Sequence, residues 1–176
     1  MTSRFALAAG LVAATLAGGC SLAPPAPVAP PLFVDTVPPA ERVAAVNRIA
    51  DARDNELAVQ PLRDPEVEDL RELARQAVAR ADLTAAAHAL DQALALSDRD
   101  PGVHQERAEL ALLSGQAALA EKHARMALGL GSRTGPLCRR HWATVWQAWL
   151  ARGDALNAAS AQAQIDSCTV PPIERY

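Results

Sequence analysis

From residue 40 to residue 168, apolar side chains recur every three or four positions with Arg, Asp, Glu and Gln between them, the signature of amphipathic helices laid end to end. Val43, Val46, Ile49, Ala50 and Leu57 outline a first helix over 40–58, ending before Gln60-Pro61. Asp64-Pro65-Glu66 then reads as a helix start: the Asp carboxylate can accept from free amides, proline suits the first turn, and an acid complements the helix dipole. Val67, Leu70, Leu73, Ala74, Ala77 and Val78 form the buried stripe of that helix. After Ala81-Asp82 a second stripe, Leu83, Ala86, Leu90, Ala93 and Leu94, runs to about Ser97. Asp100-Pro101 repeats the start signal for a helix over 101–114, Gly115 turns the chain, and a partner helix follows over 116–130. Beyond a loop over 129–136, two more helices are predicted over 137–151 and 154–166.

The pattern repeats. Ala81-Asp82, Ala86, Leu90 and Ala93-Leu94 return 34 residues later as Gly115-Gln116, Ala120, Ala124 and Ala127-Leu128. At an offset of 38, Gly115, Ala120 and Ala127 match Gly153, Ala158 and Ile165. Small residues fall where paired helices must touch: Ala74 with Ala86 and Ala93, then Ala108 with Ala120 and Ala127. Over 67–166 these positions resemble the tetratricopeptide repeat, in which such small residues let two helices close on one another. Two positions depart from it, since Leu90 and Ala124 replace the aromatic of the family and the proline at the repeat end is displaced to Pro101. A nonrepeating helical bundle is the alternative. The resemblance implies an all-α chain: a short right-handed solenoid of about three helical hairpins over 65–168, an N-terminal capping helix over 40–60 that closes the first repeat, and a C-terminal tail over 169–176.

The N-terminus has another character. Arg4 precedes an apolar run from Phe5 to Leu16 and small residues before Cys20, the layout of a secretory signal. The run is shorter than the roughly 20 residues a membrane helix needs. Leu16-Ala17-Gly18-Gly19-Cys20 resembles a bacterial lipobox, with Ala17 where that motif prefers Leu. The resemblance implies a lipoprotein signal peptide over 1–19 and acylation of Cys20, palmitate being the type of chain added. Ser21, in place of the Asp of inner-membrane retention, implies an anchor at the periplasmic face of the outer membrane. An ordinary secretory peptide cut near Gly18 or Gly19 would instead leave Cys20 as a thiol. Pro24, Pro25, Pro27, Pro30, Pro31, Pro38 and Pro39 make 20–39 an extended tether, at about 3.1 Å per residue where it adopts polyproline II.

Composition narrows the function. With 17 basic and 20 acidic residues the chain is close to neutral, so nucleic acid is not an expected partner. His88, His104, His123 and His141 fall in four different predicted helices, each alone, and no pair has metal-ligand spacing. Ser114, Ser132 and Ser160 lack a nucleophile-elbow context. No enzymatic activity, cofactor or metal is expected. Cys138 and Cys168 sit at the open end of one predicted hairpin, where an oxidising compartment would join them. A redox pair would be the sharper role, but Cys-x-x-Cys is absent. Trp142, Trp146 and Trp149 share one helix face, either a core stripe set against Ala155, Ala158, Ala159 and Ala161 or an exposed surface for a partner.

Members of the repeat family bind partners along the groove lined by the first helix of each hairpin. The groove positions implied here are Glu68, Arg71, Arg75 and Val78, then Gln105, Glu109 and Leu112, then Arg140, Gln147 and Leu150. Three arginines point to a peptide or chain terminus held through its carboxylates. The competing reading is a solvated face with local pairs, Glu68 with Arg71 and Glu72 with Arg75 and Gln76. The function expected is a lipid-anchored periplasmic adaptor that binds a protein or peptide partner in an envelope assembly for outer-membrane proteins, pili or secretion. The alternatives are a carrier or chaperone for a small envelope ligand, and a regulatory subunit of an envelope enzyme.

Overall fold

A computed structural model describes residues 33–51 and 62–169; Cys20, the segment before it, most of the tether, residues 52–61 and residues 170–176 lie outside the described residues. All regular structure in the described part is helical: α1 (Pro39–Ala50), α2 (Pro65–Ala79), α3 (Leu83–Leu96), α4 (Pro101–Leu113), α5 (Ala117–Leu130), α6 (Gly135–Ala151) and α7 (Ala155–Ser167). None of these helices is long and apolar enough to cross a membrane.

The helix starts follow from local chemistry. Asp64, Asp82, Asp100 and Asp154 each accept from a backbone amide two or three residues on, at 2.8 Å from Glu66, 3.0 Å from Ala85, 2.7 Å from Gly102 and 3.0 Å from Asn157. Pro65 and Pro101 follow two of these caps in the first turn. The turns inside the hairpins are one motif used three times. Ala81, Gly115 and Gly153 adopt left-handed φ values of 58°, 71° and 72°. The next amide then reaches back to close the helix, Asp82 to Ala77 O at 2.9 Å, Gln116 to Ala111 O at 2.8 Å and Asp154 to Trp149 O at 3.1 Å.

Helices α2 with α3, α4 with α5 and α6 with α7 pack as antiparallel hairpins, and successive hairpins stack through α3 on α4 and α5 on α6. The small residues sit at these contacts: Ala86, Ala93, Ala108, Ala120 and Ala127 are completely buried, and Ala74 and Ala158 nearly so. The fold is thus a short solenoid of helical hairpins. The third hairpin places Trp146 and Ile165 where the others carry alanine, and both remain partly exposed.

Two expectations need correction. Helix α1 runs to Ala50 with Asp51 as its C-cap, residues 52–58 of the expected helix lying outside the described residues, and it does not sit on the first hairpin. It packs on α6 and α4. Val46 is fully buried in a cluster with Ala111, Leu112, Ala120, Ala143 and Ala148, while Val43, Ile49 and Ile165 border it. The loop expected over 129–136 is also shorter, because α5 continues to Leu130 and α6 begins at Gly135. Cys138 and Cys168 form a disulfide with their Cα atoms 5.6 Å apart, closing the open end of the third hairpin.

Candidate functional site

The first helices of the hairpins, α2, α4 and α6, are cross-linked by two forked ion pairs. Arg71 on α2 donates from Nε to Glu106 Oε2 at 2.9 Å and from Nη2 to Oε1 at 2.5 Å. Arg140 on α6 donates to the two oxygens of Glu109 at 2.5 and 2.7 Å. Such planar, two-point contacts fix both side chains. Burial works against the charge of Arg71 and of Arg140, but the facing glutamates outweigh it and hold both guanidinium groups above the usual arginine range. Arg71 also bonds Glu68, and the half-exposed Arg75 pairs with Glu72 at 2.8 Å and Glu68 at 3.3 Å. Gln76 donates to Glu72 at 2.9 Å. The local pairs read from the sequence therefore form, and Glu106, missed there, joins the two helices because the stacking of α4 beside α2 brings it within reach.

Between these pairs lies a cavity of about 260 Å³, lined by Val43, Arg71, Ala74, Arg75, Val78 and Glu109 together with Leu90, Glu106, Leu110, Leu113 and Arg140. Five of the groove residues, Arg71, Arg75, Val78, Glu109 and Arg140, thus share one wall, with Glu68 beside it. Of the rest, Gln105, Leu112 and Gln147 are buried. Gln105 is 2 % exposed and Gln147 6 % exposed. Gln105 Nε2 donates to Glu109 at 2.8 Å and to Thr144 Oγ1 at 2.7 Å, so its carbonyl faces His141 Nδ1 at 2.6 Å. Since the Gln105 oxygen must accept, His141 carries its proton on Nδ1. Its other nitrogen is buried without a hydrogen-bond partner. Burial, then Arg140, push the His141 pKa down to about 4. Gln147 and Leu112 are covered by α1, with Leu112 packed in the Val46 cluster. Leu150 is partly exposed. The groove is filled by the chain's own helix over α4 and α6, and stays open only between α2 and α4.

The histidines are not all isolated. His104 on α4 and His123 on α5 approach with their Nδ1 atoms 3.0 Å apart. His104 Nε2 donates to Asp98 O at 2.9 Å, so its Nδ1 accepts the proton of His123 Nδ1. Burial, then His104 and Arg107, lower the His123 pKa to about 4. Hairpin packing, not spacing along the chain, makes this pair. Among the described residues no group of three or more His, Cys, Asp or Glu side chains is placed to hold a metal ion.

Trp142, Trp146 and Trp149 pack half-buried against Ala108, Ala124, Val145 and Ala161, and Arg152 stacks 4.2 Å above the Trp149 ring. They are mainly core, although Trp142 and Trp146 each show an edge in a shallow surface depression.

No family model matches the chain, and no curated protein matches it. Among solved structures, the globular C-terminal domain of LpoP from P. aeruginosa is similar at a TM-score of 0.56 with 31 % identity, covering 60 % of this chain and 99 % of that one. The chain belongs to the LpoP family. The LpoP match thus extends over nearly the whole of that domain.

Proposed function

We propose that this protein is an outer-membrane lipoprotein, anchored through Cys20 on the periplasmic face, whose helical-hairpin domain binds and regulates an envelope enzyme and performs no catalysis itself. Membership of the LpoP family is the observation that carries this reading, favouring a regulatory subunit over a general assembly adaptor. The layout agrees with it. A signal-like segment ends at a cysteine, a proline-rich tether follows, and the domain offers a docking face of paired arginines and glutamates around an apolar cavity. The stacked hairpins are compatible with a tetratricopeptide-like origin.

A carrier of small ligands fits less well. The cavity is below the roughly 300 to 1,000 Å³ of small-molecule sites and opens to solvent through its charged rim. The test is crosslinking in intact cells followed by affinity recovery of the wild type and of Cys20→Ser, with the activity of any recovered enzyme measured with and without the purified domain. The expected result is one envelope enzyme, recovered with the wild type, whose rate changes when the domain is added; Cys20→Ser should lose palmitate labelling and outer-membrane fractionation. An enzyme whose rate is indifferent to the domain would leave only an adaptor, and no specific enzyme at all would refute the reading.

A further inference from the structure

Resting on that regulatory role, we propose that the cavity between α2 and α4 receives one apolar side chain of the protein partner, flanked in the partner's chain by a basic residue. The floor of the cavity is apolar and buried: Ala74 and Leu90 are 3 % exposed and Leu110 4 % exposed. Val43, Val78 and Leu113 also line it, and Val78 remains 38 % exposed although it lies on the same helix as buried Ala74 and Ala77. The space suits one or two large side chains. Val43 comes from α1, so the cavity is complete only with that helix in place over α4 and α6.

The rim decides the polarity of the occupant. The lining itself carries Arg71, Arg75 and Arg140 against Glu106 and Glu109, and Glu68 and Glu72, bonded to Arg71 and Arg75 just outside it, bring the group to four acids against three bases. Arg71 and Arg140 are held at two points by Glu106 and Glu109, so an incoming carboxylate would have to displace an acceptor already in place. Glu68 and Glu72 are different. They are 46 % and 51 % exposed, share Arg75, and each accepts two hydrogen bonds where a carboxylate has about four acceptor sites. An ammonium or guanidinium group beside the apolar anchor finds acceptors at that edge. This reverses the acidic ligand that the arginines alone suggest.

The test uses the full chain with labelled valine and leucine methyl groups and labelled tryptophan indoles, and three short synthetic peptides in a Gly/Ser background, identical except for a central Lys-Leu-Lys, Lys-Ala-Lys or Glu-Leu-Glu. The Lys-Leu-Lys peptide should shift the Val43, Val78 and Leu113 methyls saturably. Loss of the leucine should weaken binding by roughly tenfold or more, as befits burial of one aliphatic side chain. Reversal of the flanking charge should weaken it by up to about fivefold, as exposed ion pairs allow. Glu72→Lys should remove the charge preference and keep the leucine dependence, while Val78→Gln, at an exposed helical position, should remove the leucine dependence with the helical circular dichroism unchanged. Equal binding of all three peptides, no saturable shift, or shifts confined to the Trp142 and Trp146 indoles would overturn the proposal. Recovery of the enzyme in cells separates the two ideas: if Val78→Gln recovers it as well as the wild type does, the cavity is not the contact and the regulatory role stands. If the wild type recovers none, the role fails and the peptide titration alone decides the cavity.

Discussion

Arg42 of α1 donates a hydrogen bond from Nη1 to Gln147 Oε1 of α6 at 3.0 Å, with both side chains buried. Asp35 pairs with the same guanidinium at 2.5 Å, and burial of the Arg42 charge is thereby matched. A residue expected to meet a partner is therefore already engaged by the chain itself, and α1 is part of the domain core instead of a detachable cap.

Docking of α1 should be measurable as stability. Val46 is fully buried among Ala111, Leu112, Ala143 and Ala148, so Val46→Ala removes packed methyl groups and should cost about 2 kcal/mol in urea unfolding. Arg48→Ala, on the exposed side of the same helix, should change stability by less than about 0.5 kcal/mol. Equal midpoints for the two variants would mean that α1 contributes nothing to the fold.

The shared turn offers a second check. Ala81 adopts φ 58° where the two equivalent positions carry glycine, a conformation that costs an L-residue roughly 1 kcal/mol. Ala81→Gly should stabilise the first hairpin by some tenths of a kcal/mol up to about 1, the relief of left-handed strain being partly offset by glycine's extra freedom in the unfolded chain. Gly115→Ala should destabilise by about 1 kcal/mol, having open space around its Cβ. Gly153→Ala should cost more, because the Phe33 ring occupies the place of the added methyl. A thermal-melt ranking in which Gly153→Ala is the milder of the two would contradict the packing of Phe33 on that turn.

Stability should fall as pH drops from about 6.5 towards 4. His123 and His141 are held neutral, with pKa values of about 4 against an unfolded value near 6.5. Between those values the unfolded chain binds protons that the folded chain does not, so the histidine contribution is complete above 6.5 and is lost on acidification. For the fully buried His141 the loss is up to roughly 3 kcal/mol. Urea midpoints across this range check the sign, and His141→Asn should flatten the slope; a stability independent of pH between 7 and 4.5 would argue against both buried neutral rings.

The disulfide joins residues 30 apart, and closing a loop of that size contributes about 3 kcal/mol in chain-entropy terms. Removal by the double change Cys138→Ser and Cys168→Ser should lower stability by that order, and reductant should then have no further effect. If the wild type unfolds at the same urea concentration with and without reductant, the bond does not constrain the unfolded chain as supposed.

The helices and their order were legible in the sequence, since amphipathic spacing, Asp-Pro starts and the Gly turns are local signals acting within one or two turns of helix. The pairing of helices into hairpins followed from the alanines, because only small residues allow two backbones so close. The disulfide was legible for the same reason, its cysteines sitting at one end of a single hairpin. What lies far apart along the chain was not. The seat of α1 on α6 depends on which apolar stripe offers Val46 the best fit, and Ala143 and Ala148 lie about a hundred residues beyond it. The His104 and His123 contact, the bond from Gln105 to His141 and the reach of Arg71 to Glu106 are likewise set by how hairpins stack. An isolated helix carries no record of its neighbour's charges. Local spacing was enough for the seven helices among the described residues, their three hairpin turns and the disulfide; hairpin stacking set which arginines are already neutralised and which apolar surface is left open, because burial and pairing are properties of packed faces.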